Sequence, residues 1–336
     1  MKSVSKYQQP RLGRSIWQIT NSLIPYIGLW VLAYFSLQVS YFLTLAIAIP
    51  AAGFLIRIFI IFHDCVHGSF FKSSKANDLL GHLTGFITYT PYYQWRRSHR
   101  IHHDTAGDLD NRGNGDVWTM TTEEYLTASH WLRFWYRFYR NPLTMFVLGP
   151  LYVVLIGNRI PRWKFGWKEH TSIHATNLVV AGMVILGIYT IGWKNILLIQ
   201  LPINIIGFAV GFWLFYVQHQ FEGVYWEKQP EWDFVASAMQ GSSYYKLPLV
   251  LQWFTGRIGF HHIHHLCPRI PNYNLAKCYK ESLLFQNVQP ITLKSSFKSL
   301  SYRLWDKESN RLIGFRDFRR LKKERGLVRS RVTKTD

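Results

Sequence analysis

Residues 42–67, FLTLAIAIPAAGFLIRIFIIFHDCVH, join a long apolar stretch directly to a histidine pair. As a helix, the 21 residues from 42 to 62 cover about 30 Å, which is the thickness of the hydrocarbon layer of a bilayer. His63 and His67 follow at positions i and i+4, so both imidazoles lie on one helical face. The stretch therefore predicts a membrane-spanning helix that carries two imidazoles to one membrane edge, with Arg57 near its end able to snorkel to the interface.

Apolar stretches elsewhere alternate with very basic loops in this chain of 336 residues and net charge +20. The predicted spans are 22–39, 42–62, 173–191 and 196–217. Segments 79–95 and 143–157 are short or interrupted by Gly and Pro, and they favour interfacial or re-entrant helices. The pattern predicts an all-α integral membrane protein with four transmembrane helices and a helical cap, forming a single domain over 1–336.

The distribution of lysine and arginine predicts the orientation. Both are abundant before the first span, between the second and third, and after the fourth, whereas the short turns between paired spans hold only Lys194. The positive-inside rule then places both termini and the long loops in the cytoplasm. The expected cytoplasmic cap consists of 63–170 and 218–320. The basic tail at 315–336 favours a lipid-headgroup contact, with a site for an acidic redox partner as the alternative.

Two further histidine clusters follow the same pattern as His63-Asp-Cys-Val-His67, which we call the first box. The second box is His99-Arg-Ile-His102-His103, and the third is His261-His262-Ile-His264-His265. His219 ends the apolar run FWLFYVQHQFE at the same predicted membrane face. The candidate metal ligands are His63, His67, His99, His102, His103, His219, His261, His264 and His265. One zinc ion takes about four ligands, so this number indicates two metal ions, while imidazole alone does not distinguish iron, zinc, copper and nickel.

Residues around the boxes are candidates for supporting roles. His262 shares the third box but points off its ligand face. Asp64, Asp104 and Asp116 are candidates to accept hydrogen bonds from ligand imidazoles, and they are equally compatible with helix caps or solvated positions. The three cysteines form no CxxC pair and are interpreted as reduced thiols.

The strings HDCVHGSFF, HRIHHDTAG and HHIHHLCPRIPNYNL resemble the membrane fatty acid desaturase and hydroxylase superfamily of histidine-box di-iron enzymes. Longer strings, including QWRRSHRIHH, LDNRGNGDVWTMTTEEY and GSSYYKLP, resemble bacterial acyl-lipid desaturases of the Bacillus type, which act at carbon 5 of phospholipid acyl chains. The resemblance covers most of the chain. It implies that the eight box histidines other than His262, together with His219, bind two iron ions, with zinc as a possible substitute in recombinant material.

The resemblance also implies the reaction and its partners. Dioxygen and two electrons from an external donor would produce a cis double bond in acyl chains of membrane phospholipids, as in adaptation to cold. The sequence has no fused haem-domain motif such as HPGG and no Gly-rich flavin fingerprint, so a ferredoxin or flavodoxin is the expected donor. Nucleic acid is not an expected partner, and the expected location is the cytoplasmic membrane of a bacterium. Trp95, Trp118 and Tyr92 could line an acyl groove, with plain interfacial anchoring as the alternative.

The sequence is also compatible with other functions, to different degrees. Within the superfamily, the alternatives are desaturation at carbon 9 or 12, lipid hydroxylation and carotenoid ketolation. A divalent-metal transporter would have ionisable ligands near the middle of its spans, whereas here the histidines cluster at one edge. A zinc-dependent membrane hydrolase would have fewer histidines and a catalytic glutamate, as in HExxH, and no box contains one.

Overall fold

The computed structural model describes residues 2–113 and 115–325. The α-helices are α1 (Leu12–Ser36), α2 (Tyr41–Val66), α3 (Ser74–Ile87), α4 (Tyr92–Thr105), α5 (Thr122–Thr127), α6 (His130–Tyr139), α7 (Gly149–Tyr152), α8 (Trp167–Ile191), α9 (Trp193–His219), α10 (Phe234–Gln240), α11 (Leu249–Phe254), α12 (His261–Leu266), α13 (Asn272–Glu281), α14 (Leu293–Ser296) and α15 (Phe315–Glu324). The strands are β1 (Met120–Thr121), β2 (Tyr244–Lys246), β3 (Pro290–Thr292), β4 (Leu304–Asp306) and β5 (Arg311–Ile313). Short 3₁₀ helices cover Lys2–Tyr7, Leu283–Phe285 and Phe297–Ser301, and π-helical turns cover Thr144–Leu148 and Val153–Gly157.

Four helices of the described chain, α1, α2, α8 and α9, are long and apolar enough to cross a membrane. The predicted fold class, an all-α integral membrane protein with four transmembrane helices, is confirmed. Short turns join α1 to α2 and α8 to α9. Helices α2 and α9 run in the same direction, because Ala48 of α2 lies in one cluster with Ile199 of α9, and Ile56 lies in another with Leu214. Their carboxyl ends therefore deliver His63 and His219 to the same membrane edge.

The first span extends beyond the predicted one, because α1 begins at Leu12 rather than near residue 22. Its first turns bury polar side chains that hydropathy does not detect. Ser15 Oγ donates to the backbone carbonyl of Phe70 at 2.7 Å, and Gln18 Nε2 donates to Asn272 Oδ1 at 3.1 Å. The amino-terminal part of α1 is thus held by hydrogen bonds to the cap.

Small side chains hold the spans together. Ala48, Ala51 and Ala52 of α2 are buried in a cluster that includes Ile199 and Ile203 of α9. Small residues let helix backbones approach closely, which is how helices associate in a lipid environment. The close packing of α2 on α9 fixes the separation of the histidines at their ends.

The two segments expected to be interfacial or re-entrant differ in form. Residues 79–95 fall in α3 and the start of α4, neither of which is among the spanning helices. Residues 144–157 form a π–α–π helix that is bent by 65° from α6, and the pair is apolar enough to be a broken span or a re-entrant loop. The apolar residues of α6 are exposed along one stripe, with Trp131 66% and Phe134 54% exposed.

The cap is helical with two small sheets. Strand β1 pairs in parallel with β4, which pairs antiparallel with β5, and β2 pairs in parallel with β3. Helix α15 packs Phe318 against Tyr125, with the ring centroids 5.3 Å apart, and exposes Arg316, Arg319 and Lys323. The rest of the predicted basic tail, 326–336, lies outside the described residues.

Candidate metal centre

Four parts of the chain place the candidate ligands. His63 lies in the last turn of α2, and His67 caps that helix. The second box lies in the second half of α4, and His219 is the last residue of α9. The third box forms α12, a helix of only six residues whose side chains are all buried. The histidines thus come from the ends of two spans and from two cap helices.

Within the described residues, the nine candidate ligands fall into two groups, and the ligand atoms in each lie within 4.8 Å of one another. The five-histidine group consists of His63, His67, His99, His103 and His264. The four-histidine group consists of His102, His219, His261 and His265. The structure therefore brings together every residue that the sequence singles out as a ligand, in two places rather than one.

In the second and third boxes, the histidine at position i+3 belongs to a different group from the histidines at i and i+4. His99 and His103, at i and i+4, belong to the five-histidine group, whereas His102 at i+3 belongs to the other. The third box does the reverse, because its i+3 residue, His264, joins the five-histidine group. At 3.6 residues per turn, positions i and i+4 point about 40° apart, while i+3 is rotated to the opposite side of i. Each HxxHH helix therefore contributes to both groups and ties them together.

Distances between ring nitrogens fit a shared metal ion. His261 Nε2 lies 3.0 Å from His219 Nε2 and 3.1 Å from His265 Nε2. In the other group, His103 Nε2 lies 3.2 Å from His99 Nε2 and 3.0 Å from His264 Nε2. With metal–nitrogen bonds of about 2.0–2.1 Å, two ligands are about 3.0 Å apart at right angles and about 3.4 Å apart in a tetrahedron.

Burial keeps the imidazoles in the state that binds metals. Burial, and secondarily the neighbouring histidines, hold the pKa values of six candidate ligands well below the usual range of histidine: His67, His99, His103, His261, His264 and His265. A neutral imidazole offers a lone pair to a metal, whereas a protonated one does not. His67 Nε2 is buried and has no hydrogen-bond partner in the described part of the chain, which fits a nitrogen that faces a metal.

Hydrogen bonds through the Nδ1 atoms orient two candidate ligands of the four-histidine group. His102 Nδ1 lies 2.7 Å from Asp116 Oδ1, and His219 Nδ1 lies 3.2 Å from the carbonyl oxygen of Gly241. An outer acceptor fixes the tautomer and makes the ring a better ligand. Of the three aspartates considered from the sequence, Asp104 is exposed on α4, which agrees with a solvated position.

The third aspartate, Asp64, supports the five-histidine group more loosely. Its Oδ1 lies 3.5 Å from His63 Nδ1. Its Oδ2 accepts hydrogen bonds from the backbone nitrogen and the Nδ2 of Asn272, at 2.7 and 2.8 Å. Asn272 is also bonded to Gln18 of α1. Asp64 therefore links the first box to α1 and to the start of α13.

Aromatic side chains lie against both groups. Trp95 stacks on His99 with the ring centroids 4.1 Å apart, while Phe215, one turn before His219, lies 5.2 Å from the His102 ring. The other groove candidates, Tyr92 and Trp118, have different surroundings. Tyr92 is buried behind the first box and donates to the carbonyl of Cys65. Trp118 packs on Tyr136 and Tyr139.

His262 and the cysteines lie outside the ligand groups. The His262 ring packs among Tyr244, Tyr279 and Phe285, and burial lowers its pKa to about 4. The three cysteines are free and buried, in agreement with reduced thiols.

Three supporting residues were not identified from the sequence. Gly241 acts through its backbone carbonyl, which leaves no signal in a side-chain pattern. Phe215 lies within an apolar span and has no distinguishing neighbour in the sequence. Asn272 lies in the string PNYNL that carries the family resemblance, so its position offered a signal that the ligand pattern did not use.

Comparison with known proteins agrees with this geometry. The family model described as "Fatty acid desaturase" matches residues 38–287, which include all nine candidate ligands. The chain belongs to the fatty acid desaturase family. It is 50% identical to a protein named "Fatty acid desaturase" from Bacillus subtilis (strain 168), over 94% of this chain and 90% of the relative.

More distant members match about two thirds of the chain. An "sn-1 acyl-lipid omega-3 desaturase (ferredoxin)" from Nostoc sp. (strain 36) is 28% identical over 66% of this chain and 62% of its own length. A chloroplastic "Omega-6 fatty acid desaturase" from Arabidopsis thaliana is 25% identical over 66% of this chain and 49% of its own length. Family membership makes this protein a membrane-bound oxidoreductase of the desaturase type, with histidine groups suited to a metal site.

Proposed function

We propose that the chain is an acyl-lipid desaturase that inserts a cis double bond at carbon 5 of phospholipid acyl chains in a bacterial cytoplasmic membrane. The observation that carries this proposal is the pair of histidine groups at the ends of two membrane spans. An apolar acyl chain reaches such a site from the bilayer, whereas a water-soluble substrate would have no need of it. We further propose that the whole chain is one functional domain, with both termini and the cap on the cytoplasmic side.

Two iron ions are the proposed occupants, one in each histidine group. Iron would supply the activation of dioxygen, which imidazole ligands support but do not themselves perform. Loss of one hydrogen from each of two adjacent methylenes leaves the double bond. Those two hydrogens, together with two electrons from the donor and two protons, account for the reduction of one dioxygen to two waters.

The role of the protein is to position the acyl chain and to exclude water. Eight of the nine histidines are buried and His67 is partly buried, and Trp95 and Phe215 place apolar surface beside the two groups. Since the same chemistry could act on any methylene pair, the carbon attacked depends on which pair the cap holds near the metals. The basis for proposing carbon 5 is the resemblance of strings such as LDNRGNGDVWTMTTEEY and GSSYYKLP to Bacillus-type acyl-lipid desaturases, which act at that position.

A ferredoxin or flavodoxin is the proposed electron donor. Relatives from Nostoc and Synechocystis are named as ferredoxin-dependent enzymes. The donors are acidic proteins, and exposed cations such as Arg316, Arg319 and Lys323 of α15 would attract them. Donor-dependent activity should fall as the salt concentration rises, and salt-insensitive coupling would contradict this part of the proposal.

The central experiment expresses the chain in bacteria that lack their own desaturase and supplies an electron donor. Fatty acid methyl esters are then derivatised to locate double bonds by mass spectrometry. We expect a dioxygen-dependent monoene with its double bond at carbon 5. The His99→Ala variant should produce none, while His174→Ala, which changes an exposed histidine of α8, should match the wild type.

Other outcomes each have a definite meaning. A double bond at carbon 9 or 12 would retain the reaction and reject the proposed position. Hydroxylated acyl chains without new double bonds would reject desaturation in favour of hydroxylation. Absence of any product, with the protein shown to be in the membrane and the donor present, would reject both.

A further inference from the structure

Two arginines precede the histidine boxes on the membrane side of the candidate metal centre. Arg57 lies in α2, six residues before His63, which corresponds to about 9 Å along the helix. Arg257 lies four residues before His261, in the turn between α11 and the third box. The Arg57 guanidinium lies over the ring of Trp253, which is four residues before Arg257 in the chain. Each arginine is therefore tied through a few residues of backbone to a metal-binding segment.

Arg57 is built into the protein rather than extended to water, in contrast to the snorkelling expected from the sequence. It is 7% exposed, and its guanidinium lies over the Trp253 ring, 3.9 Å from the centroid. One terminal nitrogen donates to the Trp253 carbonyl, and the other lies 3.5 Å from Asn21 Oδ1. Its Nε is buried without a hydrogen-bond partner among the described residues. This is a fixed cation with incomplete hydrogen bonding.

The two positive charges lack a protein counter-charge. Within residues 2–113 and 115–325, no carboxylate lies within ion-pair distance of Arg57 or Arg257. Like charges repel, and a buried charge is poorly screened by salt, so the pair favours an anion that can approach both. Arg257 is exposed and can contact such an anion directly, while Arg57 adds attraction from behind.

The surroundings of the two arginines favour an anion that belongs to a lipid. Helix α11 packs on α2 through Phe54, whose ring lies 5.7 Å from that of Trp253. On its outer side, Leu249 is 82% exposed and Val250 is 68% exposed. Apolar side chains that are exposed beside a membrane-spanning helix face lipid, and an arginine at the end of such a helix meets the headgroups.

We propose that Arg257, backed by Arg57, binds the phosphate of the phospholipid whose acyl chain enters the metal centre. This proposal rests on the proposed function and adds the means by which a phospholipid is selected and held in register. A guanidinium forms paired hydrogen bonds with a phosphate, which a lysine does not reproduce. Arg257 lies four residues before His261, so a phosphate bound there is held close to the third box and favours carbons near the headgroup over carbons near the methyl end.

The test compares Arg257→Gln and Arg257→Lys with a matched control. Arg269→Gln removes an exposed arginine four residues after the third box, just as Arg257 lies four residues before it. The proteins are reconstituted in vesicles that mix phosphatidylglycerol with an uncharged diacyl glycolipid bearing the same acyl chains. New double bonds are then counted separately in each lipid.

We expect wild-type and Arg269→Gln proteins to favour phosphatidylglycerol to the same extent. Arg257→Gln should lose about tenfold of this preference while still acting on the glycolipid, since a hydrogen bond to a charged group contributes at least that factor. Arg257→Lys should fall between the two. An unchanged preference in Arg257→Gln, or an equal loss in Arg269→Gln, would overturn the proposal.

A binding measurement separates this proposal from the proposed reaction. Retention of phosphatidylglycerol by the detergent-purified protein is followed by native mass spectrometry, which requires no turnover. Arg257→Gln should retain less phosphatidylglycerol than wild type, and added inorganic phosphate should not displace the lipid. Displacement by inorganic phosphate would identify a site for soluble anions and overturn the lipid assignment. Binding through Arg257 without any desaturation by wild type would reject the proposed reaction alone.

Discussion

The five-histidine and four-histidine groups are held in different ways. The four-histidine group has close outer hydrogen bonds, with 2.7 Å between His102 and Asp116 and 3.2 Å between His219 and the Gly241 carbonyl. The five-histidine group has one more ligand, but the contact from His63 to Asp64 is 3.5 Å. One group has an extra candidate ligand, while the other has fewer, of which His102 and His219 have close outer acceptors. We therefore expect the first group to tolerate the loss of a histidine better, and the second to depend more on its outer acceptors.

Loss of a ligand should reveal this difference most strongly. Replacing His261 by Ala leaves three histidines in its group, whereas replacing His67 by Ala leaves four in the other. We expect His261→Ala to lower the metal content of purified protein from about two ions per chain to about one, and His67→Ala to keep close to two, because about four ligands complete a site. Metal analysis by mass spectrometry measures both. Equal losses in the two variants would show that the fifth histidine provides no reserve.

Changes at the outer acceptors should have a smaller effect. Asp116→Asn removes the carboxylate beside His102 and should weaken metal affinity at the four-histidine group by about 10–100-fold. Asp64→Asn should have less effect on metal affinity, since Asp64 is farther from its histidine and its carboxylate also accepts hydrogen bonds from Asn272. Competition with a metal chelator measures the affinity.

The matched control for these variants is Asp104→Asn. It changes an exposed aspartate that directly follows the second box and should leave the metal affinity unaltered. A larger loss of metal affinity in Asp64→Asn than in Asp116→Asn would show that the five-histidine group depends more on its outer acceptor than the four-histidine group does.

The smallest effect is expected at the box histidine that belongs to neither group. His262→Phe should leave the metal content unchanged, because the ring lies among Tyr244, Tyr279 and Phe285 rather than among the ligands. Overpacking of this buried position should lower the free energy of unfolding by about 1–3 kcal/mol. Metal analysis and thermal unfolding test the two parts separately. Loss of a metal ion in this variant would show that His262 is needed for metal binding although it lies outside both groups.

The sequence predicted the spans well and also predicted which histidines the fold brings together, because both depend on local patterns. Hydropathy located α2 and α9, and the spacing of the boxes identified which histidines would converge. It did not predict that His102 and His264 would cross to the opposite groups, since that depends on how α4 and α12 face each other. Nor did it predict the early start of α1, whose buried Gln18 is stabilised by a partner more than 250 residues away.

The candidate ligands come from four separated parts of the chain, so the two groups become complete only as successive parts are synthesised. The four-histidine group needs His261 and His265, so it cannot be complete until all four spans and the third box have left the ribosome. The five-histidine group already has His63, His67, His99 and His103 before the third box is made, and it gains His264 last. Because the second and third boxes each serve both groups, the late docking of α12 completes both of them. A chain that stalls before its third box therefore carries one group with only half of its histidines and one that lacks only its fifth.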